Sequence, residues 1–100
     1  MEKLKPSHDL EAFKAAFARH KSMSLTALES ARKLGFEQRE DLVLVTEALE
    51  RKHFIKSVTS FNNHRQWQDV YVISWNNVPI YLKFTDHVLT EFILLSFKRK

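Results

Sequence analysis

The sequence predicts an α+β domain in which about three N-terminal helices cover an antiparallel sheet. Apolar residues recur at helical spacing as far as Glu50, and from His53 onward the runs are β-branched and aromatic. The clusters Asn62-Asn63-His64 and Asn76-Asn77 cut that second half into short strands joined by tight turns. With no helical segment between them, consecutive strands must run antiparallel.

Ser7 or Asp9 can cap a first helix that carries Leu10, Phe13 and Phe17 on one face. Thr26-Ala27-Leu28-Glu29 has the spacing of a capping box, in which hydroxyl and carboxylate each satisfy a backbone donor of the other residue. That second helix turns Leu28, Ala31 and Leu34 inward and stops at Gly35, the only glycine of the chain. A third helix, Gln38 to Glu50, uses Leu42, Val45 and Leu49. Its Leu42-Val43-Leu44-Val45 run also suits a strand, but Glu40 and Asp41 at its start favour a helix. Strands are expected over Phe54 to Phe61, over Gln66 to Ile73, and from Val78, where Ile80, Leu82 and Phe84 alternate with Tyr81, Lys83 and Thr85. Thr85-Asp86-His87 reads as the last turn. Phe92 to Phe97 is apolar on both faces, which predicts a central strand.

At 100 residues the chain is expected to form a single domain, 1–100. No apolar run reaches the roughly 20 residues of a membrane span, and the charged start leads into no apolar block. A cytoplasmic protein without membrane contact is the expectation. Zero cysteines exclude a disulfide framework and thiolate metal sites, and a single glycine excludes Gly-rich phosphate loops. The charge is unevenly placed. Residues 1–50 carry a net charge of −1 and residues 51–100 a net charge of +5, within a total of +4. Positive charge confined to one structural half suits a polyanion, although a merely solvated face would have the same composition.

Conventional catalytic patterns are absent. The histidines (His8, His20, His53, His64, His87) show no metal-ligand spacing and read as surface or turn residues. What remains is a set of polar groups in apolar strands: Lys56, Gln68, Tyr81, Lys83 and Lys98. Each is ordinary on the exposed side of a sheet. Together they would form a cationic surface able to hold a phosphodiester and stabilise its pentavalent transition state. A Lys or Tyr there could also move a proton if nearby positive charge lowered its pKa. His64 and Arg65 add polar contacts from a turn, and Trp67 offers a stacking surface, although such aromatics are more often core.

Phe54-Ile55-Lys56-Ser57-Val58-Thr59-Ser60-Phe61, Asn63-His64, Trp67-Gln68-Asp69-Val70-Tyr71, Ile80-Tyr81-Leu82-Lys83 and Leu95-Ser96-Phe97-Lys98 follow one another in order. In this the chain resembles the MqsR (motility quorum-sensing regulator) toxins of bacterial type II toxin–antitoxin modules. The resemblance covers nearly the whole chain. It implies a RelE-like fold and a ribosome-independent mRNA interferase that cuts short GC-containing triplets such as GCU. It also implies attack by the substrate 2′-hydroxyl, no metal or other cofactor, and a cognate MqsA-like antitoxin as partner. The family's active-site pattern falls on Lys56, Gln68, Tyr81 and Lys98, leaving acid and base unassigned. Arg99 and a slightly longer Thr85–Glu91 connection depart from the pattern, and the longer connection would displace Lys98. The alternative function is a non-catalytic RNA- or partner-binding module of the same fold.

Overall fold

Asp9 begins the first helix: its carboxylate accepts from the N–H groups of Glu11 (2.9 Å) and Ala12 (3.2 Å), two of the donors a helix start leaves unpaired. The computed structural model describes residues 1–100. Helix α1 spans Leu10–His20, α2 Leu25–Lys33 and α3 Arg39–Ala48, followed by one 3₁₀ turn at Arg51–His53. The strands are β1 (Glu2–Lys3), β2 (Phe54–Thr59), β3 (Trp67–Trp75), β4 (Val78–His87) and β5 (Glu91–Arg99). They form one antiparallel sheet in the order β1-β2-β3-β4-β5. The α+β class and the three-helix cover are as expected.

Several local details differ from the sequence reading. The cap of α2 is Ser24 and not Thr26. The Ser24 hydroxyl accepts from Ala27 N–H (3.1 Å) and donates to the Leu95 carbonyl (3.0 Å), so one group both starts the helix and ties it to β5. The helix ends as foreseen at Gly35 (φ +94°). Gly35 N–H bonds the Arg32 carbonyl and Phe36 N–H the Ala31 carbonyl, a Schellman closure that needs a left-handed residue. Phe36 then packs edge-on against Phe97, with ring centres 5.0 Å apart.

Thr85-Asp86-His87 is strand, not turn; the chain reverses over residues 88–90. There His87 Nδ1 accepts from the Leu89 N–H and lies 3.2 Å from the Thr90 hydroxyl, an imidazole spent on its own turn. Asn76 and Asn77, both at positive φ, make the two-residue hairpin.

The largest correction concerns β5. It is an edge strand, apolar for a reason other than centrality. Leu94 exchanges backbone hydrogen bonds with Ser22 and Ser24, so the α1–α2 connection covers part of its outer edge.

The core lies between the helices and one face of the sheet. Phe13, Phe17, Ala27, Ala31, Leu42, Val45 and Leu49 from the helices meet Tyr71, Ile73, Ile80, Leu82, Phe84, Leu94 and Phe97 from the strands. Phe13 stacks on Phe84 at 3.8 Å, and Phe84 lies parallel to Tyr71 at 5.8 Å. Asp69 also points to this side and is fully buried. Its carboxylate accepts from Ser7 N–H (3.0 and 3.1 Å) and His8 N–H (2.9 Å), which pins the N-terminal arm across the sheet.

Candidate active site

The helices cover one face of the sheet, and the polar strand residues collect on the other. Strand pairing fixes this. Lys56 lies opposite Val70, Val70 opposite Lys83, and Lys83 opposite Ser96, forming one row across four strands. Tyr81 and Lys98 lie opposite each other in the next row, beyond Val72. Gln68 lies in the row on the other side, opposite Val58. Leu82 and Phe84 flank Lys83 in sequence and are buried in the core, so Lys83 and its row must face away from the helices.

Two β-bulges make this arrangement possible. In an unbroken strand Phe54 and Lys56 would share a face. The extra residue Ile55, between the pairs Phe54–Tyr71 and Lys56–Val70, sends Phe54 into the core and Lys56 to the open side. Leu95 does the same in β5, between Leu94–Phe84 and Ser96–Lys83, and so brings Lys98 to Tyr81. The displacement expected for Lys98 is not seen: it pairs with Tyr81, and its Nζ lies 5.2 Å from the centre of the Tyr81 ring.

Lys56, Lys83 and Lys98 therefore share one open face on which the only carboxylate near an ammonium is Glu2, 3.8 Å from Lys56 Nζ. Val70 lies between Lys56 and Lys83 and is fully buried although it faces the open side. Lys56 and Lys83 pair with it on either side, and lysine stems cover apolar neighbours while keeping their ammonium groups in solvent. Burial, and then the charge of Lys98, push Lys83 below the ordinary lysine pKa. Burial pushes Tyr81 above the ordinary tyrosine value. The lowering anticipated for a Lys or Tyr in this setting is thus found at Lys83, and the opposite at Tyr81. A phenol whose pKa is raised and an ammonium whose pKa is lowered occupy the same face, two residues apart on β4.

The family described as motility quorum-sensing regulator, toxin of MqsA, matches residues 5–99. The chain belongs to that MqsR toxin family. It is also 35% identical over 75 residues to the mRNA interferase toxin MqsR of Escherichia coli (strain K12), an overlap of 75% of this chain and 74% of that protein.

In this MqsR-family chain the remaining candidates stand apart from the sheet face. Trp67 lies on the helix side, opposite Thr59, and the Lys3 ammonium covers its ring at 4.2 Å. His64 and Arg65 are exposed in the β2–β3 loop, at the end of the sheet nearest Gln68. Arg65 lines a cleft of about 320 Å³ there with Gln66, Asp86 and His87. The largest concavity, about 430 Å³ between Phe36, Leu44 and Trp75, is on the helix side and shares no residue with the lysine face. No cluster of three His, Cys, Asp or Glu side chains that could hold a metal ion is present, and no helix is long and apolar enough to cross a membrane. Sequence reasoning missed Glu2 and Val70. Counting by twos from Gln68 would have found Val70. Glu2 carries no such signal, because a two-residue strand has no period.

Proposed function

We propose that this chain is an endoribonuclease toxin that cleaves single-stranded mRNA in the cytoplasm, independently of ribosomes and of metal ions. The observation that carries the reading is the convergence of Lys56, Gln68, Tyr81 and Lys98 on one uncovered face, together with Lys83. Lys56 and Lys98 neutralise the scissile phosphate, whose charge rises as the 2′-oxygen adds to phosphorus. Gln68, one row away, offers an amide to a phosphate oxygen or a base edge. Tyr81 orients the phosphate or transfers a proton. The nucleophile belongs to the substrate, so the reaction needs no activated water. Arg65 and His64 extend the basic surface beyond the Gln68 end, and Trp67 supports the strand from behind. The family membership and the E. coli relative's name support RNA as the substrate. The reading includes a preference for GC-containing triplets such as GCU and neutralisation by a cognate MqsA-like antitoxin; the family's description as the toxin of MqsA supports the second.

The test is cleavage of a defined unstructured RNA by purified protein, in EDTA and without ribosomes. Lys56→Ala, Tyr81→Ala and Lys98→Ala run alongside, each checked for folding. The wild type cuts at discrete sites, leaving 2′,3′-cyclic phosphate and 5′-hydroxyl ends, and each variant loses about a hundredfold or more. Intact RNA that is bound in a salt-dependent way would instead establish the binding-module reading.

A further inference from the structure

Cleavage by a substrate 2′-hydroxyl needs a base for that hydroxyl and an acid for the leaving oxygen, and the open face carries the side chains for both. We propose that Lys83 is the general base that takes the proton from the attacking 2′-hydroxyl, and that Tyr81 is the acid that protonates the leaving 5′-oxygen. This rests on the nuclease reading above and adds to it a division of labour that kinship does not supply.

Position is the first argument. Lys83 occupies the middle row, with Lys56 along that row on β2 and Tyr81 and Lys98 in the row beside it. A phosphate held between Lys56 and Lys98 therefore lies over Lys83. Pairing is the second. Lys56 has Glu2 as a partner, whereas Lys83 is half-buried and forms neither a salt bridge nor a side-chain hydrogen bond. The groups facing it are Val70 and Lys56 from β3 and β2, Tyr81 and Thr85 from its own strand, and Ser96 and Lys98 from β5. Among these only lysines carry charge at neutral pH, and no carboxylate is present to hold the ammonium protonated. The downward shift of Lys83, caused by burial and Lys98, and the upward shift of Tyr81, caused by burial, agree with the two assignments.

The step balances without a further reactant. The neutral Lys83 amine removes the 2′-hydroxyl proton as the O2′–P bond forms. The P–O5′ bond breaks with its electron pair going to O5′, which takes the Tyr81 phenol proton. One strand becomes two, ending in a 2′,3′-cyclic phosphate and a 5′-hydroxyl. The lysine then returns a proton to solvent and the tyrosine regains one.

The experiment measures single-turnover cleavage from pH 5 to 10 on two short RNAs, one normal and one with sulfur replacing the bridging 5′-oxygen at the cut site. Thiolate leaves without protonation, so it rescues loss of an acid and not loss of a base. Lys83→Arg keeps the charge but cannot give up its proton at these pH values. Lys83→Met, as the second variant, tests packing, and melting curves report folding for both. The expected result is that Lys83→Arg cuts both RNAs about a hundredfold or more slowly, with the half-saturating enzyme concentration changed less than the maximal single-turnover rate, and lacks the acidic limb of the wild-type profile. Tyr81→Phe is slow on the normal RNA and recovers on the sulfur-containing one. Lys98→Met moves the acidic limb to higher pH, because it removes the charge that disfavours protonated Lys83. A Lys83→Arg enzyme with the wild-type rate or limb overturns the assignment alone, and so does its rescue by sulfur. A wild type that cuts neither RNA overturns the nuclease reading along with it.

Discussion

Tyr71 gives the chain a stability that depends on alkaline pH in a way a single substitution can remove. Its ring is fully buried between Phe54 and Phe84, and its hydroxyl has no hydrogen-bond partner. Burying an unpaired hydroxyl costs about 1–3 kcal/mol, so Tyr71→Phe, which keeps the ring, makes the folded state more stable by roughly that amount at pH 8. The same burial, with the Asp69 carboxylate next in effect, Arg51 opposing and Asp9 adding slightly, raises the Tyr71 pKa from 10.0 to about 12. The folded chain thus holds the phenol proton more tightly than the unfolded chain does. That advantage is complete below pH 10 and is lost between pH 10 and about 12. At pH 11 the unfolded tyrosine is one unit past its midpoint and the folded one is still one unit short of it, a loss of about 1.4 kcal/mol. Urea denaturation of both proteins at pH 8 and pH 11 measures the effect. The advantage of Tyr71→Phe over wild type grows by about 1.4 kcal/mol between the two, while other lysines and tyrosines cancel in the comparison. A gap that does not change with pH, or a phenylalanine variant less stable than wild type at pH 8, would refute the reasoning.

Two other perturbations act at the N-terminal arm. Asp69→Ala strands two backbone donors, those of Ser7 and His8; at about 1.5–3 kcal/mol for each charged hydrogen bond the melting temperature falls by at least about 12 °C, and amide exchange in residues 2–8 accelerates. Glu2→Gln frees the Lys56 ammonium of its one carboxylate; an exposed pair is worth at most about 1 kcal/mol, so KM for RNA falls by up to about fivefold with kcat unchanged, read by steady-state cleavage at low salt.

Much of the fold was legible because local and global signals agree. The acidic start of α3 and its Leu42, Val45 and Leu49 stripe outweighed a strand-like run, and all three residues are buried. The paired asparagines marked a turn that requires positive φ at both positions. The open-face group was legible as polar residues in apolar strands, yet its placement on one side was not. A strict period of two fails at Ile55 and Leu95, where the ladder skips a residue, and nothing in the side chains announces a skip. The misplacement of β5 has a related cause. Residues on both sides of a strand look equally apolar whether a second strand or the α1–α2 connection covers its edge. Trp67 read as a stacking surface for its aromatic ring, with a core place the commoner outcome for such residues; adjacent strand residues face opposite ways, so Gln68 on the open face places Trp67 behind the sheet.

The two bulges also determine where the chain can change length. Removing Ile55 leaves Phe54 opposite Tyr71 and Lys56 opposite Val70 as consecutive rungs of a regular ladder, with core and lysine face intact. Removing Leu95 likewise joins Leu94 to Ser96 without moving Lys98 from Tyr81. Deleting a neighbour such as Ser57 would instead exchange the two faces of everything beyond it. A descendant of this chain could therefore be one or two residues shorter and still carry the same surface, provided the losses fell at those two positions. Each bulge is a slack link that lets the sheet gain or shed a residue while both of its faces stay in place.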